Sequence, residues 1–305
     1  MAGDLTPVHD PAIILAGKTF YLFTTSQVSD GRGLIHIRRS TDLVNWTRSG
    51  AVFAAIPAWA KARIAGTKGI WAPDIVKHGN EYRVYYSVST FGSNVSAIGM
   101  ATSPTLDPAA PNYRWTDQGM VVSSNVRSDY NAIDPNVVTD RSGRMWLSFG
   151  SFWTGIKMLE LNPATGKPMT ADSKLIAIAS RATPGAIEAP FIVPRGEYYY
   201  LFASFDSCCR GAASTYYTVV GRSKEVTGPY LDAKGRKMLN GAGEVVLHAK
   251  LDPSKRWAGP GHPAVLMQGD KAIIVYHAYD VKNAGRPTLR IQSLGWDKNG
   301  WPVAL

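Results

Sequence analysis

A short proline-centred phrase returns five times along this chain, and that repetition constrains the fold more than any other feature. The five copies are His9-Asp10-Pro11-Ala12-Ile13, Ala72-Pro73-Asp74-Ile75, Asp134-Pro135-Asn136-Val137, Ala189-Pro190-Phe191-Ile192 and His262-Pro263-Ala264-Val265, with prolines 62, 62, 55 and 73 residues apart. After each comes a polar turn, then an aromatic or β-branched segment ending near Ser or Thr, as in DPAIILAGKTFYLFTTS and APFIVPRGEYYYLFASF. Two such segments around a Gly-, Asn- or Asp-containing turn are a hairpin signal. Third strands are predicted at 34–40, 97–103, 155–159, 217–221 and 289–293, and fourth strands at 45–50 and 114–119, which share a Trp-Thr-x-x-Gly pattern. Four short strands per unit, with almost no helical periodicity, predict radial repetition. The expected fold is all-β: a five-bladed β-propeller forming a single domain over 1–305, with blades starting near residues 8, 70, 131, 186 and 259. A pair of β-sandwiches, the main competitor, leaves the recurrence without a cause. Proline at the first residue of an innermost strand costs no ladder hydrogen bond, so its place in each copy fits.

Composition removes other classes. The chain has 305 residues, 45% of them apolar, with nine Trp and fourteen Tyr, which excludes disorder. Its longest apolar stretches, such as 12–16, are far short of the ~20 residues of a membrane-spanning helix. The net charge of +10 suggests a rival class, a polyanion-binding propeller. Its cations, however, are scattered singly or in pairs (Arg38-Arg39, Lys255-Arg256), so no nucleic-acid partner is expected. Solubility, or affinity for an acidic polysaccharide, is the better reading of the charge. Cys208 and Cys209 are adjacent, which excludes a disulfide framework and a multi-cysteine metal site; they are read as two buried thiols. The first residues carry neither the basic nor the apolar region of a signal peptide. Secretion with a removed signal and a cytoplasmic location both stay open. A monomer is expected.

In a propeller the first strand of every blade lines the channel, so equivalent residues converge at its mouth. Around the five prolines stand Asp10, Asp74, Asp134, Glu188 and His262. Four carboxylates and an imidazole in one place shift each other's pKa values, and functional sites are where such sets persist. Glu188 lies between Ile187 and Ala189, in a stretch without other charge, and its raised pKa suits a general acid. Asp74 lies on the other side of its proline and is read as a solvated loop carboxylate. Paired carboxylates in different environments are the equipment for hydrolysing a glycosidic bond. Trp71, Phe91 and Trp153 could offer flat apolar faces to sugars, or belong to the core.

The segments HDPAII, GIWAPDI, YNAIDPNV, GSFWTGI, AIEAPFI, FDSCCRG and GPGHPAV resemble glycoside hydrolase family 43, and within it the endo-α-1,5-L-arabinanases. The resemblance runs from Asp10 to about Tyr279. It implies an inverting hydrolase of arabinan or arabino-oligosaccharides in which Asp10 is the general base, Glu188 the general acid and Asp134 a third carboxylate that orients the acid. For inversion, the Asp10 and Glu188 carboxyls are expected about 6.5–9.5 Å apart. The resemblance also implies sugar contacts at Trp71, Phe91, Ser151 and Arg210, and Trp153, as an aromatic near the same rim, is counted with them as substrate-binding. His262 matches a histidine facing a calcium ion that is otherwise ligated by water. One His is a poor calcium site by itself, because calcium takes many oxygens, and a His hydrogen-bonded to Asp134 or Glu188 is the alternative. Exo-acting arabinanase, arabinofuranosidase and β-xylosidase are the rival activities.

Overall fold

Five sheets follow one another along the chain in the computed structural model, which describes residues 1–182 and 184–305; they are antiparallel apart from Ala2–Gly3, which pairs parallel to Asn45–Trp46 at the edge of the first. Their first strands are Ala12–Ala16, Gly69–His78, Asn136–Thr139, Ile187–Arg195 and Trp257–Gln268. Each first strand touches the first strand of the next sheet, and the fifth touches the first, so the ring closes as a five-bladed propeller. Second strands (Thr19–Thr24, Glu81–Val88, Met145–Phe149, Tyr198–Phe205, Lys271–Asp280) and third strands (Leu34–Ser40, Ser96–Ser103, Ile156–Asn162, Tyr217–Ser223, Arg286–Trp296) follow outward. Fourth strands are Asn45–Phe53, Thr116–Ser124, Glu244–Leu247 and Pro302–Ala304. In blade three two short segments, Lys167–Pro168 and Ile176–Ala179, share that role.

Alternation along the strands sends apolar side chains to both faces of every blade, and each face packs against a neighbouring blade. The result is five apolar clusters, one per seam. Ile37 and Val84 belong to the seam of blades one and two, Met100 and Leu147 to two and three, and Met158 and Leu201 to three and four. Phe202 and Ile274 belong to four and five, and Leu22 and Val275 to five and one. The last seam is also closed by backbone: Val8 N donates to Pro287 O at 3.0 Å, and Leu289 N to Leu5 O at 2.9 Å. These bonds end two residues before Asp10, so ring closure and the channel mouth share one segment.

The prolines do more than start strands. Pro73, Pro190 and Pro263 lie inside their first strands, and the pairing register shifts across each of them, between Trp71 and Asp74, Glu188 and Phe191, and Gly261 and Ala264. A bulge tolerates the missing N–H just as a strand start does. Only in blades one and three does the strand begin directly after proline, as the sequence suggests. The cysteines are a second correction. Cys208 and Cys209 form a disulfide between neighbouring residues, on a loop where Cys208 is half-buried and Cys209 exposed.

Candidate active site

The residue before every repeat proline is left-handed. Asp10, Ala72, Asp134, Ala189 and His262 have φ of 52°, 43°, 58°, 55° and 52°. Such backbone costs a non-glycine residue about 1–3 kcal/mol and persists only where its surroundings fix it. Here the fixing comes from the preceding blade. Ala72 N donates to Thr25 Oγ1 at 2.7 Å, Asp134 N to Ser87 Oγ at 2.9 Å, His262 N to Ser204 Oγ at 2.9 Å, and Asp10 N to His277 Nδ1 at 3.1 Å. The four acceptors occupy one register position, two residues beyond the partner of the residue after proline. In blade three that position is Gly150, which has no side chain, and Ala189 N turns to Asp134 Oδ2 at 3.1 Å. Latches of this kind aim the first-strand side chains into the channel mouth.

Asp10, Asp134 and His262 are therefore true equivalents. Glu188 lies one residue earlier, at the position of His9, Trp71, Ile133 and Gly261, as the corresponding antiparallel pairings Trp71–Ser87, Glu188–Ser204 and Gly261–His277 require. His262 Nδ1 stands 3.1 Å from Asp10 Oδ1. Burial opposes charge on Asp10, but His262 and the neighbouring His9 and His277 outweigh it and hold the carboxyl below the usual range. Burial also opposes charge on His262; the carboxylates of Asp10, Asp134 and Glu188 overcome it and lift the imidazole to about 9. Glu188 and Asp134 go the other way. Burial raises both, and the charge of Asp10 adds to the rise in each. Ser151 Oγ donates to Glu188 Oε2 at 2.7 Å and partly restrains that rise. One carboxylate is thus pushed toward its ionised form and another toward its protonated form at the same mouth, the division of labour that acid–base catalysis needs.

The sequence profile of the glycosyl hydrolases family 43 matches residues 6–302. The chain belongs to this family. It is a glycoside hydrolase, of a family that acts with inversion. It is 45% identical to an extracellular exo-α-(1→5)-L-arabinofuranosidase of Cellvibrio japonicus, over 97% of this chain and 85% of that protein. It is 41% identical to an extracellular endo-α-(1→5)-L-arabinanase of Bacillus subtilis, over 97% and 87%. A solved structure of a Cellvibrio cellulosa α-L-arabinanase complexed with arabinohexaose superposes with a TM-score of 0.91 at 43% identity, covering 99% of this chain and 96% of that one.

The other residues singled out in this family 43 chain are placed as follows. Trp71 is half-buried on the first strand of blade two, paired with Ser87. Phe91 is 84% exposed and Trp153 41%, both in loops that leave the second strands of blades two and three at the same end as the carboxylates. Ser151 is buried against Glu188. Phe152 N donates to Ile187 O at 2.8 Å, which ties the Trp153 loop to the strand of the acid. Arg210 is exposed on the disulfide loop. Its N–H donates to Ser214 Oγ at 3.0 Å, and Cys209 N donates to Tyr279 Oη at 2.6 Å. His262 faces Asp10 rather than holding Asp134 or Glu188 by a hydrogen bond.

Several contributors were not read from the sequence. Thr25, Ser87 and Ser204 were visible only as polar ends of second strands, a signal that becomes meaningful once the blades are in contact. His277 is wholly buried, its Nδ1 accepting from Asp10 N, which puts its proton on Nε2. Tyr216 stacks on His277 at 5.9 Å between ring centroids, and its buried hydroxyl stands near Glu188 without closing a hydrogen bond. Asp74 corrects the expectation of a solvated carboxylate: it is 4% exposed, and burial pushes it up to about 7. Its side chain is turned into the seam with blade three, where its Oδ2 accepts from Val137 N.

Proposed function

We propose that this glycoside hydrolase is an arabinanase cleaving internal α-1,5-L-arabinofuranosidic bonds, with Asp10 as general base, Glu188 as general acid and Asp134 as the carboxylate that orients the acid. The observation that carries the reading is the contrast between Asp10, whose ionised form His262 favours from 3.1 Å, and Glu188, whose carboxyl burial pushes upward toward the protonated form. Asp10 takes a proton from the attacking water as the water oxygen bonds to the anomeric carbon. Glu188 gives its proton to the departing glycosidic oxygen as that bond breaks. Asp10 then returns a proton to solvent and Glu188 recovers one. Asp134, whose Oδ2 accepts from Ala189 N beside Glu188, fixes the acid's backbone, while the charge of Asp10 favours the protonated acid.

The arabinan substrate rests on the relatives named above, one of them solved with arabinohexaose. Endo action is the finer proposal, since the relatives include both exo and endo enzymes. It is supported by exposed Phe91 and Trp153 on successive blades, which extend a surface for sugar faces to one side of the carboxylates. Trp71, Ser151 and Arg210 complete the proposed contacts. Digestion of linear arabinan with sizing of products decides the matter. Mixed oligomers with a fast fall in viscosity are expected; a single small product indicates exo action, and no release removes the substrate.

Calcium is proposed at His262 as a hydrated ion. The donor set fits that form rather than a protein cage: only neutral His262, donating from Nδ1 to Asp10, would have Nε2 free, calcium's oxygens would have to come from water, and the ion would compete with the proton that the carboxylates hold on this imidazole. When bound, such an ion supplies positive charge against the carboxylates. Chelation is expected to lower activity or thermal stability, and an unchanged enzyme removes the ion from the proposal. Secretion is proposed as well: both relatives are extracellular, and an exposed disulfide suits an oxidising compartment. No helix among the described residues is long and apolar enough to cross a membrane.

A further inference from the structure

We propose that Asp74, acting through Asn136, is a positioning residue for the acid half of the site, holding blade three to blade four at the register that Asp134 and Glu188 require. The proposal rests on Glu188 being the general acid. Asp74 belongs to blade two, yet its Oδ2 accepts from two groups of blade three: Val137 N at 2.7 Å and Asn136 Nδ2 at 3.4 Å. Asn136, 2% exposed, passes the connection on, since its Oδ1 accepts from Ile192 N of blade four at 2.9 Å. On the other side of Pro135 and Pro190, Asp134 Oδ2 accepts from Ala189 N at 3.1 Å. Two side-chain ties thus bracket the prolines of the blade three–four seam, one made by Asp134 and one made by Asn136.

This seam depends on them because it lacks the latch used elsewhere. Gly150 stands where Thr25, Ser87, Ser204 and His277 hold the next blade. The Asn136 tie in turn depends on Asp74. A carboxamide has a donor end and an acceptor end. The carboxylate of Asp74 takes the donor end, which leaves the oxygen facing Ile192 N–H. Without Asp74 the amide is free to turn and set its NH2 against that N–H, donor to donor. Of the two side-chain ties that bracket the prolines only that of Asp134 would remain, beside the Phe152 N to Ile187 O and Ser151 Oγ to Glu188 Oε2 bonds nearer the mouth, and Glu188, four residues before Ile192, would shift in its register with the leaving oxygen.

The test compares two substrates with one glycone: an arabino-oligosaccharide, whose leaving group needs a proton, and the corresponding nitrophenyl glycoside, whose leaving group does not. With full-length Asp74→Ala we expect kcat on the oligosaccharide to fall about tenfold or more, KM to change little, and the nitrophenyl glycoside to suffer much less. Asp74→Asn is expected to recover most of the loss, because its carboxamide oxygen can accept from both donors. Asn136→Ala should reproduce the Asp74→Ala pattern, and the double variant should be no worse than either single one. Equal losses on both substrates, or no recovery in Asp74→Asn, overturn the proposal. If Asp74→Ala does not fold, Asn136→Ala carries the same comparison. Glu188→Gln, run alongside, keeps the two readings apart: full activity on the oligosaccharide defeats the acid assignment itself, whereas the Asp74 proposal fails on its own substrate ratio.

Discussion

Ser151→Ala removes one hydroxyl from the mouth of the channel and is expected to move the basic limb of the pH–rate profile upward by about one to two units. The Ser151 Oγ to Glu188 Oε2 bond is 2.7 Å long, and its two residues are only 4% and 9% exposed, so water does not readily replace it. A hydrogen bond to a charged group contributes about 1.5–3 kcal/mol. Because the hydroxyl donates, it favours the ionised carboxylate and holds Glu188 lower than burial alone would. Each ~1.4 kcal/mol corresponds to one pKa unit, so losing the bond raises the acid by about one to two units. A general acid works protonated, and its pKa in the free enzyme sets the descending limb of kcat/KM. The limb therefore moves to higher pH. The ascending limb, set by Asp10 and His262, should stay in place. The assay is kcat/KM on an arabino-oligosaccharide at constant ionic strength from about pH 4 to 10, a window that holds the descending limb while Asp10, kept below the usual carboxylate range, stays ionised. A descending limb that stays put or moves down refutes both the assignment of Glu188 as acid and the role given to Ser151.

Burial pushes Asp74 from 3.8 up to about 7, so the wild-type fold loses stability as pH rises from the lower value through the upper one, by up to about 4 kcal/mol. Asp74→Asn has no proton to lose, so its urea midpoint should gain on the wild type across that window; a constant difference contradicts the burial argument. His262→Ala withdraws the cation that favours the ionised form of Asp10, so the ascending limb of kcat/KM is expected to rise by about one unit or more. An unmoved limb would detach His262 from the base. Gly261→Ala places a Cβ 2.2 Å from Tyr216 Cδ1, against a buried ring that cannot retreat, and should cost about 1–3 kcal/mol in denaturant unfolding. A variant as stable as wild type would mean that the Tyr216 ring is not packed as described.

Much of the architecture was legible because it is local. A hairpin announces itself by alternation and turn residues within about twenty positions. Third strands at 34–40 and 217–221 were placed to within a residue or two of Leu34–Ser40 and Tyr217–Ser223. The fourth strand of blade three was not legible, because it is divided between Lys167–Pro168 and Ile176–Ala179, each too short to carry a pattern. Asp74 was misread for a different reason. Its neighbours in sequence are ordinary for a loop, and its burial comes from Asn136 and Val137, more than sixty positions away. The adjacent cysteines were misread as buried thiols because nothing nearby in sequence specifies that the loop is exposed and the pair joined.

By itself the sequence determined the fivefold repetition, the strand pattern and the identity of the carboxylates around each proline. Those features are properties of short segments, set by side-chain alternation and by proline's missing N–H. Tertiary structure decided what the carboxylates are. Asp10 and Glu188 differ in character because His262, brought in from the far end of the chain, sits 3.1 Å from one, while burial dominates the other. It also decided how the mouth is held, since each left-handed pre-proline residue is fixed by a side chain of the blade before it. Charge and strain depend on distance in space, and in a ring of blades the distances that matter join residues from 37 to 267 positions apart.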